Sequence, residues 1–199
     1  MFRLFIAALA APLLVAAAPA PLASVSAHLQ AVTTMTADFT QTDRNGKSVA
    51  GKLLLKRPGH VRFQYAPGVP LLIVGDGNAL TMIDYSVRQV SRWPVRNSPL
   101  SVLTNPQVDL GRFAQLAPSG DSEMLLVNVT DPKHPEFGTI TLAFSKRPNA
   151  PAGLMLEGWS VLDAQSNRST VRLSNQRFNV QISDQAFRWR DPRPIGPPR

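Results

Sequence analysis

The segment from Lys52 to Tyr65 constrains this chain more than any other. Two strand-like runs flank Arg57-Pro58-Gly59. The second run alternates strictly, with Val61, Phe63 and Tyr65 on one face and His60, Arg62 and Gln64 on the other. A period of two marks a strand with one buried face. The first run is apolar on both faces at Leu53-Leu54-Leu55. Such a strand either buries both faces against packed layers or holds something apolar against one of them, and that choice bears directly on function.

The pattern of short strands continues along the chain. Leu22, Val25, Leu29 and Val32 form a helical apolar stripe that opens the domain. Strands are expected at Met35–Asp43, Ser48–Lys56 and His60–Tyr65, the first two joined by Asn45-Gly46, a strong hairpin signal. Further strands follow at Leu71–Val74, Ala79–Asp84 and Val87–Arg92. Short connections predict antiparallel pairing of neighbours. The region from Pro99 to Leu116 reads as two helical turns broken at Asn105-Pro106, with Asp109 as a cap for the second. Strands resume at Glu123–Thr130, Thr139–Ser145, Leu154–Asp163, Ser169–Ser174 and Gln185–Arg190, a count near eleven. The fold class expected is therefore mainly β with small helices (α+β). A packed sandwich and a half-closed barrel both accommodate strands such as Leu71-Leu72-Ile73-Val74 and Met124-Leu125-Leu126-Val127.

The ends bound the domain. Arg3 followed by the apolar run Leu4 to Ala18 reads as a secretory signal, with cleavage expected after Ala17. A retained anchor would need roughly 20 apolar residues. This gives a signal peptide over 1–17, one domain over 18–190, and a proline-rich tail over 191–199 that is expected to be disordered. The absence of cysteine excludes disulfides and a lipid-modified cysteine at the mature N-terminus. Loss of Arg3 with the signal lowers the formal charge of +8 to +7. Export argues against nucleic acid as a partner. The scattered basic residues fit a solvated surface or weak steering toward anionic membranes.

Equipment for catalysis is sparse. The three histidines, His28, His60 and His134, share no metal spacing. Acidic residues such as Asp76, Asp121, Asp131 and Asp163 sit where turns need them. There is no nucleophile elbow and no phosphate-binding glycine loop. No cofactor, metal or enzymatic activity is expected, although carboxylates brought together only in space would leave no sequence signature.

Several segments in order resemble one family. They are Ala37-Asp38-Phe39-Thr40-Gln41, Gly51-Lys52-Leu53, the run Arg57 to Tyr65, Ile73 to Leu80, Asp84-Tyr85, Gln89-Val90 and Pro99-Leu100. Together they are similar to LolA, the periplasmic carrier family for outer-membrane lipoproteins. The resemblance implies an open, curved antiparallel half-barrel with a helical lid over an apolar cavity. It implies a monomeric, non-enzymatic carrier of lipoprotein acyl chains. The partners it implies are an inner-membrane lipoprotein-releasing ABC transporter and an outer-membrane receptor. A related lipid- or glycolipid-binding envelope module, or an envelope-stress sensor, is the alternative. By the same resemblance Arg57 is the lid latch, and Val61 and Phe63 take the places of an inward-facing aromatic pair. The cavity and lid residues expected are Val25, Leu29, Val32, Phe39, Leu53, Leu55, Val61, Phe63, Tyr65, Leu100, Leu103, Leu110 and Phe113.

Overall fold

The computed structural model describes residues 21–94, 101–105, 107, 109–131 and 133–194. The expected signal peptide, Leu100 and the last five residues of the tail lie outside the described residues. Helix α1 (Pro21–Ala31) precedes strands β1 (Thr34–Thr42), β2 (Ser48–Lys56), β3 (His60–Tyr65), β4 (Leu71–Asp76), β5 (Ala79–Asp84) and β6 (Gln89–Pro94). Two single-turn helices follow, α2 (Ser101–Thr104) and α3 (Leu110–Phe113). The chain then runs through β7 (Ala114–Ala117), β8 (Met124–Thr130), β9 (Thr139–Lys146), β10 (Leu154–Leu162) and β11 (Arg168–Phe178).

Among the described residues, these strands form one antiparallel sheet in the order β6-β5-β4-β3-β2-β1-β11-β10-β9-β8-β7. Every neighbour except β1–β11 is also a neighbour in sequence, as short connections require. The β1–β11 pairing, from Met35↔Phe178 to Thr42↔Thr170, joins the two halves. The sheet is curved and does not close, leaving β6 and β7 as free edges.

Alternation sorts the strands onto two faces. The concave face carries Met35, Ala37 and Phe39 from β1, Leu53 and Leu55 from β2, and Val61 and Tyr65 from β3, all buried. Val127, Val129, Ile140, Leu142, Phe144, Leu156 and Trp159 continue it across the other half. Val25, Leu29, Val32, Val102, Leu110 and Phe113 cover this face from the helical side.

The convex face has its own small core. Leu72, Val74 and Ile83 pack with Phe187, and Leu54, Ile182, Ala186 and Trp189 surround them. The residue behind this arrangement is Asn179, at φ +54, a left-handed value that asparagine tolerates. Its side chain accepts from the Thr33 N–H (2.9 Å) and donates to the Ala31 carbonyl (3.0 Å). The chain therefore leaves β11 and crosses the back of the sheet. Lys56 pairs with Asp184 at 2.5 Å, and Arg62 donates to the Arg188 carbonyl at 3.0 Å.

Two strand assignments from sequence are corrected. Gln185–Arg190 is not a strand; Asp184–Phe187 is a 3-10 turn capped by the Ser183 hydroxyl. Phe187 and Trp189 alternate as in a strand, but side chains rather than a ladder satisfy the nearby carbonyls. Conversely, Ala114–Ala117 is strand β7 rather than a continuation of helix. The Ala114 N–H closes α3 by donating to the Leu110 carbonyl, after which the chain pairs with β8. Asp109 caps α3 as expected, accepting from the Gly111 N–H.

Candidate functional site: a latched apolar cavity

The hairpin tip at Arg57-Pro58-Gly59 reaches the C-terminal ends of α1 and α2. The last carbonyls of a helix have no partner within it. At α1, Arg57 Nη1 donates to the Leu29 carbonyl and to the Val32 carbonyl (3.3 Å). At α2, Arg57 Nη2 donates to the Leu103 carbonyl (3.3 Å). The backbone repeats the grip: Arg57 N–H donates to Thr33 (2.8 Å) and Gly59 N–H to Thr104 (2.9 Å). Guanidinium suits the task because it offers five donors in a fixed fork. A cation at helix C-termini also complements the helix dipole. Burial lowers the Arg57 pKa to about 10, so it stays charged at neutral pH. Its Nε is buried with no partner among the described residues.

Gly59 lets the tip sit where it does. It adopts φ +84, and a side chain there would collide with the backbone of Gly77. The tip and the β4–β5 turn thus meet backbone to backbone beside the lid.

Beneath the Arg57 tip lies an apolar void of about 60 Å3. Of the residues expected from sequence, Val32, Leu53, Leu55, Val61, Phe63, Leu103 and Arg57 line it. Val25, Leu29, Phe39, Tyr65, Leu110 and Phe113 belong to the same core but not to the wall of the void. Phe39 supports the wall from behind, edge-on to Phe63 (5.3 Å) and Tyr65 (5.2 Å). The buried Tyr65 hydroxyl donates to Gln41 at 2.5 Å, and burial raises its pKa to about 12.

His28, Met35, Leu80, Thr104, Leu156 and Trp159 also line the void, and the sequence reading did not include them. Trp159 reaches the concave face because the register shifts between Leu156 and Gly158. Gly158 permits that bulge, since a Cβ there would strike the Val171 carbonyl oxygen. The glycine was the available signal. His28 has no such signal. It lies edge-on to Phe144 and Phe178, and its Nδ1 is 2.9 Å from the Pro151 carbonyl. Burial, assisted by the Arg57 charge, pulls its pKa below the usual imidazole range despite the Pro151 bond.

The far wing of the concave face is only partly covered. Ile73 and Leu80 are half-buried, and Trp93, paired with Leu80, is 46% exposed. The apolar floor therefore extends past the lid toward the open edge.

The sequence model of the family described as outer membrane lipoprotein carrier protein LolA matches residues 30–190. The chain belongs to the LolA family. A relative named outer-membrane lipoprotein carrier protein, from Chromobacterium violaceum, is 29% identical over 95% of this chain and 92% of that protein. An uncharacterized protein of Rickettsia prowazekii is 38% identical over 43% of this chain and 40% of that protein. Among solved structures, an uncharacterized conserved protein from Thermus thermophilus superposes with a TM-score of 0.50 at 12% identity. That match covers 84% of this chain and 92% of the other, and it shows likeness of fold alone. As a LolA-family domain the described chain contains no helix long and apolar enough to cross a membrane.

Proposed function

We propose that this protein is a periplasmic lipoprotein carrier. It binds the acyl chains of lipoproteins released from the inner membrane and passes them to the outer membrane. The observation that carries the reading is an apolar void closed by two helices whose ends are tied to one arginine. Pockets that hold one small molecule span roughly 300–1,000 Å3. The cavity, at about 60 Å3, falls well below that range and is too small for long acyl chains. Loading then requires α1 and α2 to move. Each buried methylene contributes about 0.8 kcal/mol, which readily outweighs a few hydrogen bonds whose donors and acceptors become solvated on opening. Release remains possible because the latch bonds re-form as the chains leave.

The names of the family and of its Chromobacterium relative support this cargo class. The reading also assigns residues 1–17 to an export signal and makes the protein a binding protein rather than a catalyst. Its donor is an inner-membrane ABC transporter and its acceptor an outer-membrane receptor. The test mixes the mature protein with proteoliposomes holding such a transporter and a lipoprotein. ATP should move the lipoprotein into the soluble fraction as a one-to-one complex. No transfer, from folded protein that still takes up an apolar dye, would leave only a lipid-binding module of another kind.

A further inference from the structure

A second groove, of about 610 Å3 and far richer in polar groups, opens beside the acyl cavity. Thr104 lines both spaces, and the turn Arg57-Pro58-Gly59 separates them, with Arg57 facing the cavity and Pro58 and Gly59 the groove. Anything anchored in the cavity by acyl chains has this groove as its adjoining polar wall. We propose that the groove seats the polypeptide of the cargo, as the extended stretch that follows the lipid-bearing residue. This rests on the carrier reading above and adds the peptide half of the ligand to it.

The chemistry of the wall supports an extended peptide that brings hydrogen-bond acceptors. The two carboxylates in the wall are already engaged. Asp76 accepts from the backbone of Asn78 and Ala79 and pairs with Arg92 at 2.7 Å. Asp109 is used as the α3 cap. The groups left over are the donor-only guanidinium of Arg112 and hydroxyl and amide groups that can also donate. Ser101 is only 7% exposed, yet its hydroxyl has no partner. A buried hydroxyl without a partner is unfavourable until something fills its valence. Arg112 stacks over the Phe113 ring at 4.7 Å, and its guanidinium makes no ion pair among the described residues. The side-chain amides of Asn78 and Gln107 are also uncommitted within the described chain. Backbone carbonyls and hydroxyl, amide or carboxylate side chains answer such a wall, whereas a lysine-rich peptide would face Arg112.

The experiment titrates the parent protein and the Arg112→Ala/Gln107→Ala double variant with three fluorescent probes. These are a triacylated cysteine alone, the same group bearing a short Ser/Asn/Asp peptide, and the same group bearing a short lysine peptide. The parent should bind the Ser/Asn/Asp probe about tenfold more tightly than the bare triacylated cysteine, the size of one or two charge-assisted hydrogen bonds. The lysine probe should show no gain. The double variant should lose the gain and keep the parent's affinity for the bare group. A Ser101→Ala variant should lose part of the gain without loss of thermal stability. Equal affinity of the parent for all three probes, or a gain that survives in the double variant, overturns the proposal and leaves the carrier reading intact. A folded parent that binds none of the probes overturns both.

Discussion

Arg57 is a half-buried cation whose side-chain hydrogen bonds, among the described residues, run to main-chain carbonyls in or just after α1 and α2. Charged donors of this kind contribute about 1.5–3 kcal/mol each, so in the proposed reading this one side chain would supply much of the hold on α1 and α2. Arg57→Leu keeps the volume but leaves the Leu29, Val32 and Leu103 carbonyls to water. Hydrogen exchange of the α1 and α2 amides should accelerate at least about tenfold, and apolar dye uptake should rise. Arg57→Lys should recover part of the protection, because an ammonium reaches fewer acceptors than a planar fork. Unchanged exchange in Arg57→Leu would remove the latch role. Val61 stands where the family resemblance implies an aromatic ring, and it lines the void beside Phe63.

At the scale of elements, the segment 182–189 decides how the first half of the sheet is stabilised. It explains Leu54, Leu72 and Val74, which point away from the cavity and yet are shielded from water. Phe187 is its anchor, buried and 5.4 Å from the His60 ring. Phe187→Ala should cost about 3 kcal/mol, the lower end for a large-to-small change in a small core. Urea unfolding would measure it, and trypsin should then cut at Arg188 and Arg190 well before the sheet unfolds. If cleavage there is as slow as in the parent, the segment is held by its ion pair and carbonyl bonds rather than by Phe187. The concave side differs in kind: its cover is the three helices α1, α2 and α3, with α1 and α2 tied to the sheet through carbonyl bonds.

At the scale of the whole molecule, the burial of His28 predicts a stability that depends on pH. Its folded pKa is depressed, so below about pH 6.5 the unfolded chain binds a proton that the folded chain refuses. Stability is therefore fully present above that pH and falls as the solution is acidified through the imidazole range. The groups facing His28 are the Pro151 and Leu154 backbone, the Phe144 and Phe178 rings and the Arg57 charge. The exposed carboxylates with lowered pKa values, such as Asp84 and Asp163, act only at lower pH. Thermal melts between pH 7.5 and 5 should show a falling midpoint for the parent and a nearly flat one for His28→Gln. A parallel fall in both would place the effect elsewhere.

The local sequence determined most of the strands, the opening helix, the Asp109 cap and the hairpin tip. Period-two alternation and turn residues are short-range signals, and each of these features is built within a few residues. It also carried the family, through ordered motifs spread over the first half of the domain. It could not decide what covers each apolar face. Leu53-Leu54-Leu55 left two answers open, and both faces proved covered, one by a lid over a void and the other by the C-terminal segment. Trp159 entered the cavity through a one-residue register shift, and Ala114–Ala117 became a strand only because β8 lay beside it. The Asp184–Phe187 turn lies where Lys56 and Arg62 capture its neighbouring carbonyls from across the sheet. The Trp159 shift and β7 depend on pairing with a neighbouring strand, and the C-terminal cover rests on contacts between residues more than a hundred positions apart, neither of which local periodicity encodes.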